Sequence, residues 1–184
     1  FVGWDVDHPA YQYRRFATRI RDRMQVCASQ SHFDFERAMG CETAACLMTP
    51  GVDSVAVDAP ALADRPIPVA VAMSWLGEPE IWWEPYRGTP AHRLIQGTVD
   101  RLMADSEVDI LRAFRATARA TGMEVPLDES ICNILARIGL YIRQHDRLKV
   151  GEALAEADIP CVIHGKGWRG RLGERPHLRY ADDT

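Results

Sequence analysis

The sequence predicts an α/β fold with parallel sheets, and three observations carry that prediction. Short apolar runs alternate with helical periodicity from Phe1 to Met48. Two later runs, Ile67 to Met73 and Pro160 to His164, are strand-like, and the first is near-continuously apolar, as in a sheet covered on both faces. Each of these runs is followed by a glycine-bearing turn, Met73-Ser-Trp-Leu-Gly77 and Gly165-Lys-Gly-Trp168.

The elements follow in order. Phe1 to Trp4 reads as a buried strand stopped by Asp5-Val-Asp-His-Pro9, where Pro9 disfavours helix at His8. Tyr13, Phe16, Ile20 and Met24 recur at helical steps and form one apolar stripe. Met24 to Ala28 is a strand candidate. Ser31 with Asp34 resembles a capping box and predicts a helix through Phe35 and Met39 that Gly40 ends. Ala45 to Met48 is a further short strand, halted at Thr49-Pro-Gly-Val-Asp53. Pro60, Pro66 and Pro68 mark residues 56–66 as a linker. Beyond the Ile67 strand, one helical stripe runs through Leu94, Ile95, Val99, Leu102 and Met103. A second helix is capped by Ser106 and ended by Gly122. Asp128 caps a third with Ile131, Leu135, Ile138 and Ile142 inward, and a weaker fourth passes Leu148 and Leu154. A usual crossover between parallel strands is far shorter, so residues 89–158 read as a helical insertion within one sheet.

Composition bounds the function. The 184 residues are 47% hydrophobic and 26% charged, a globular balance that excludes wholesale disorder. Lys and Arg number 22 against 26 Asp and Glu, and a net charge of -4 does not suit a protein whose main task is neutralising nucleic-acid phosphates. No run reaches the roughly 18 apolar residues of a membrane span. Five cysteines without framework spacing predict a reducing, cytoplasmic compartment. The chain opens on Phe-Val-Gly-Trp, without initiator Met or signal peptide, and closes on His177-Leu-Arg-Tyr180, a strand just beginning. Both ends predict a piece of something longer.

Candidate chemistry gathers at strand ends. Asp5-Val-Asp7-His8-Pro9 follows a strand, where open α/β sheets place ligand groups. Two carboxylates beside an imidazole can hold a divalent cation or supply a general base, and the same residues serve equally as strand stops and helix caps. Ser29-Gln-Ser31-His32 opens a helix, either as an ordinary cap or as an anion-facing terminus. Gly51 in the Thr49–Asp53 turn allows close backbone approach to a ligand, though a plain turn explains it as well. Ser74 and Gly77 suit a phosphate near the following segment. Trp82-Trp83 is a stacking platform or, more commonly, core. Gly165 and Gly167 straddle Lys166 in a tight basic loop before Trp168, fit for a phosphate-bearing ligand or for a simple turn. There is no P-loop, no dinucleotide fingerprint and no Gly-x-Ser-x-Gly elbow. Cys41 and Cys46 are too widely spaced for Cys-x-x-Cys chemistry, and His145 and His164 stand alone, so no metal site is predicted.

The order of these motifs carries a resemblance. Asp7-His8-Pro9, Ser29 to His32, Pro50-Gly51-Val52-Asp53, a proline-rich switch into a new strand, Tyr141-Ile-Arg-Gln-His-Asp-Arg147 and Gly165-Lys-Gly-Trp168 succeed one another along nearly the whole chain. The pattern resembles the bacterial GT-B glycosyltransferases related to the spore-maturation protein CgeB. The resemblance implies parts of two Rossmann-like domains. Residues 1–55 would end an acceptor-side domain, and 67–184 would begin a donor-side domain carrying the insertion. It implies transfer of a sugar from a nucleotide diphosphate sugar to an acceptor, without a metal or other cofactor. On that reading His8, with Asp7, faces the acceptor as catalytic base, since an imidazole titrates near neutrality. Ser74 and Gly77 line the donor phosphates, with Gly165, Lys166, Gly167 and Trp168 on the donor side. The acidic or His-Glu-Arg-like segment that holds the donor ribose in such enzymes has no counterpart after Trp168, so the resemblance implies a fragment inactive by itself. The reading from another class is a non-catalytic binding or partner-interaction module that keeps the fold, its contact surface on the inserted helices.

Overall fold

The computed structural model of the chain describes residues 2–5, 8–14, 24–41, 45–47, 64 and 69–181. Asp7, the Pro50–Asp53 turn and nearly all of the expected linker lie outside them, as do Phe16 and Ile20 of the first helical stripe. The described residues are mixed α/β with parallel pairing throughout their two three-stranded sheets.

The chain divides into two compact units, residues 1–53 with 81–140 and residues 54–80 with 141–184. In the first unit, β1 (Val2–Asp5), β2 (Met24–Cys27) and β3 (Ala45–Leu47) lie in sequence order with β2 central. A 3-10 turn at Pro9–Gln12 follows β1, and helix α1 (Gln30–Ala38) joins β2 to β3. This is the strand–helix–strand pattern that the apolar runs predict, because parallel neighbours need a crossover and a helix supplies it. Val26 and Cys27 of β2 and Phe35 of α1 are buried. Met24, read both as the last residue of a helical stripe and as the first of a strand, begins β2.

Helices α2 (Pro90–Ala104) and α3 (Ile110–Ala120) belong to this unit too. They pack so closely that a Cβ at Gly97 would stand 2.7 Å from the Thr117 methyl. Leu94, Ile95 and Val99 of α2 meet this core with Leu111 and Phe114 of α3 buried alongside. Two expected helices, the Asp128-capped one and the weaker one after it, form a single α4 (Glu129–Glu156). No proline interrupts it, and Gly139 and Gly151 are accommodated inside it.

The division differs from the expected one. Residues 89–158 read as an insertion of the second domain because they fall between two of its strands in the chain. Their side chains decide otherwise. Cys132 of α4 donates its thiol to Met39 Sδ at 3.9 Å, Arg14 pairs with Glu129 at 2.7 Å, and the Tyr11 hydroxyl lies over Gly139. These contacts tie α4 as far as Leu140 to the first unit. Burial in this core pushes the Cys132 thiol up to about 11, so it stays a protonated apolar filler at neutral pH.

In the second unit β5 (Cys161–His164) lies between β4 (Val69–Ala72) and β6 (Leu178–Tyr180), all parallel. Cys161, Val162 and Ile163 are buried, as a two-sided strand requires, whereas β4 alternates between half-buried Val69 and Val71 and exposed Ala70 and Ala72. Its apolar run over-read the cover on its second face. The core gathers Cys161, Ile163, Leu178 and Tyr180 with Trp168 and Leu172 of the short helix α5 (Trp168–Leu172).

Candidate functional site

The two glycine-bearing turns of the second unit meet. Because β4 and β5 are parallel neighbours, with Ala72 opposite His164, the chain leaves both strands at the same edge of the sheet. The pairing continues past the strands. Met73 N–H donates to His164 O at 2.9 Å, Trp75 N–H to Lys166 O at 2.8 Å, and Lys166 N–H to Ser74 Oγ at 3.3 Å. Ser74 and Lys166, 92 residues apart in sequence, therefore share one carboxyl-edge loop pair, the place where open α/β sheets bind ligands.

Glycine is obligatory here on steric grounds. At Gly165 φ is +152°, and a Cβ would overlap Met73 O and approach Ser74 N to 2.7 Å. Gly167 at φ +85° faces Trp75 Cβ, and Gly77 has φ +89°. The two loops approach as backbone on backbone, and only the absence of side chains permits it. Lys166 is exposed, and among the described residues its ammonium forms no ion pair. The neighbouring Arg171 is already neutralised, by Glu78 at 2.8 Å and Glu152 at 3.1 Å. Among the described residues of the loop pair, Lys166 is an exposed cationic group left to a ligand.

Trp168, expected on the ligand side, has another task. It is fully buried, its indole N–H donates to Met73 O at 2.7 Å, and its ring lies 5.2 Å from that of Trp75. The other face of the ring presses on α4 at Gly151, where a Cβ would overlap it. Trp168 thus supports the loop pair from beneath.

Two side chains that sequence reasoning left without a role also hold the β4 loop. Arg147 Nη1 donates to Ser74 O at 2.6 Å and Gln144 Nε2 to Leu76 O at 2.8 Å, both from α4. The Tyr141–Arg147 string contained them, and the available signal was spacing. Gln144 and Arg147 are three apart, and Arg147 and Gly151 four apart, so all three share one helix face whose small residue marks close approach.

In the first unit the carboxyl ends of β1 and β2 are again neighbours, with Asp5 opposite Cys27. The structure brings His8 to the start of α1. Its ring is edge-on to Phe35 at 4.6 Å and to His32 at 5.3 Å. Ser29, not Ser31, caps α1 by accepting from His32 N–H at 3.3 Å, and the Ser31 hydroxyl shares a hydrogen bond with it at 3.0 Å. His8 Nδ1 accepts from Ala10 N–H at 3.2 Å and caps the 3-10 turn. A neutral His8 therefore carries its proton on Nε2, and the lone pair that a base would use is the one on the cap.

The Trp82-Trp83 pair is structural. Trp83 is buried with its indole donating to Gln96 at 2.7 Å, and Trp82 lies beneath the Arg137 guanidinium at 3.8 Å. Neither of two depressions among the described residues is lined by His8 or by the Ser74–Gly77 and Gly165–Gly167 loops. One of about 440 Å³ is bordered by Tyr11, Arg14, Glu129 and Asn133, and one of about 250 Å³ by Pro160, Pro176, His177 and Arg179. Among the described residues no group of three His, Cys, Asp or Glu side chains is placed to hold a metal ion, and no helix is long and apolar enough to cross a membrane.

The class defined by fold and site is an α/β protein with parallel sheets and candidate ligand groups at their carboxyl edges. Comparison with family models, with curated proteins and with solved structures finds no match.

Proposed function

We propose that the protein is a glycosyltransferase of the GT-B kind, taking a sugar from a nucleotide diphosphate sugar, and that the loop pair Ser74–Gly77 and Gly165–Gly167 receives the donor diphosphate. One observation carries the reading: two motifs far apart in sequence converge as glycine-lined backbone at the carboxyl edge of β4 and β5, around a lysine without an ion pair. The glycines let the two loops close on each other as backbone and so hold Lys166 at the carboxyl edge of the sheet. The Lys166 ammonium supplies the opposite charge, so the diphosphate can be held and its developing negative charge stabilised as the glycosidic bond breaks. Among the residues expected on the donor side, Trp168 acts as support rather than contact. His8 is the acceptor-side residue in this reading. Taking the acceptor's proton at Nδ1 requires it to give up the Ala10 N–H, after which the imidazolium can donate from both nitrogens.

The test is titration calorimetry of the full-length protein with UDP, GDP and TDP. One of the three is expected to bind, and Lys166→Ala to weaken it about 10- to 100-fold, the loss of one charge-assisted phosphate contact. Failure of all three to bind removes the donor site and the enzyme reading with it. Binding that Lys166→Ala leaves unchanged places the nucleotide elsewhere.

A further inference from the structure

The loop after β4 is held by a long helix, and the way it is held determines which of its groups face outward. A peptide unit points its carbonyl and its N–H in opposite directions. Arg147 draws the Ser74 carbonyl toward α4, and the Trp75 N–H of the same peptide accordingly points the other way and reaches Lys166 O at 2.8 Å. Gln144 draws the Leu76 carbonyl toward α4 in the same manner, so the Gly77 N–H points away from the helix. A Cβ at Gly77 would find only Gln144 Nε2 within 4 Å, at 3.7 Å, so the loop lies close to this side chain and is otherwise uncrowded at that position. Two donors from one helix face therefore set the orientation of two alternate carbonyls, those of Ser74 and Leu76, in an otherwise irregular segment.

We infer that Arg147 and Gln144 are positioning residues that pre-orient the Ser74–Gly77 loop for an anionic ligand, a role that rests on the reading of the loop pair as the donor diphosphate site. Neither side chain has to touch the ligand. Arg147 brings a permanent charge to a carbonyl, a bond stronger than a neutral pair forms, and a single N–H makes it, so a lysine can replace it in kind. Gln144 brings a neutral donor, and leucine of similar size removes it without opening a hole. With the carbonyls released, the loop samples other peptide orientations and the cradle must be organised at the ligand's expense.

The test uses Arg147→Ala, Arg147→Lys and Gln144→Leu, with UDP, GDP and TDP as probes and amide hydrogen exchange read on the unliganded protein. Arg147→Ala is expected to weaken the bound nucleotide at least tenfold and to speed exchange of the Trp75 amide at least tenfold, with the β5 amides unchanged. Arg147→Lys is expected to restore both to within about threefold of the original chain. Gln144→Leu is expected to weaken nucleotide while the thermal midpoint of the unliganded protein holds. Unchanged affinity in Arg147→Ala overturns the inference. So does a lysine variant as impaired as the alanine one, or a loss of protection spread through β5, since either describes a structural role alone. If the original chain binds none of the probes, the donor reading falls. Trp75 exchange then decides the anchor by itself: faster exchange in Arg147→Ala keeps it, and unchanged exchange removes it.

Discussion

At the scale of single residues, His8 shows how a motif can be right in place and ambiguous in role. Its ring stands at the strand end that the Asp-His-Pro string predicts, against Phe35 and His32, yet its Nδ1 is engaged in capping Pro9–Gln12. The two roles separate by substitution. Asparagine is among the best capping residues, so His8→Asn keeps an acceptor for the turn and removes the titrating imidazole. If His8 is the base, His8→Asn in the full-length protein lowers sugar transfer about 100-fold or more with the fold intact. Transfer within about threefold of the original confines His8 to capping. Cap positions carry the same lesson in miniature. Thr89 and Asp109 begin α2 and α3, and Asp128 accepts from Ile131 N–H at the start of α4. Ser31 and Ser106 were the sequence's candidates where Ser29 and Asp109 cap, because neighbouring oxygens are equivalent in a string and only one meets the N–H.

At the scale of elements, α4 is the piece least legible beforehand. Its apolar stripe predicts two helices because the pattern weakens after Ile142, where Gln144, Arg147 and Gly151 interrupt it. Those residues are what the helix contributes to the second unit: two side-chain N–H donors to loop carbonyls and a close place for an indole. Gly151→Ala tests that contact. Alanine is favoured over glycine in a helix interior by about 1 kcal/mol. Against this, the new methyl would overlap Trp168, which is fully buried and tethered through its indole N–H. Overpacking costs up to about 3 kcal/mol, so the substitution should destabilise by about 2 kcal/mol in denaturant unfolding. Gly170→Ala in α5, where a Cβ meets open space, serves as the control and should be neutral or slightly stabilising. Equal stability of the two variants would show that the indole does not press on α4. The strands, by contrast, were readable to within a residue or two. Each is a short apolar run bounded by turn residues, and strand pairing needs little more.

At the scale of the molecule, the strand–helix alternation and the two separate sheets were legible, and the assignment of the middle helices was not. Position in the chain puts residues 89–158 with β4 and β5, whereas packing puts residues 81–140 with the first unit and 141–158 with the second. Amphipathic periodicity tells that a helix buries one face and is silent on which surface receives it. The candidate donor site was half legible for a related reason. Gly165, Gly167, Lys166 and Ser74 lie next to strands that could be recognised, while Arg147 and Gln144 act from a helix whose placement depends on tertiary contact. The central claim, that the two strand-end loops form one anion-binding site, is tested most directly by a residue-resolved NMR titration of the backbone amides with UDP, GDP and TDP. The account predicts that one nucleotide shifts a contiguous set, Ser74 to Gly77 together with Gly165 to Gly167. A shifted set centred instead on the depression at Tyr11 and Glu129, or no saturable shift with any of the three, would contradict it.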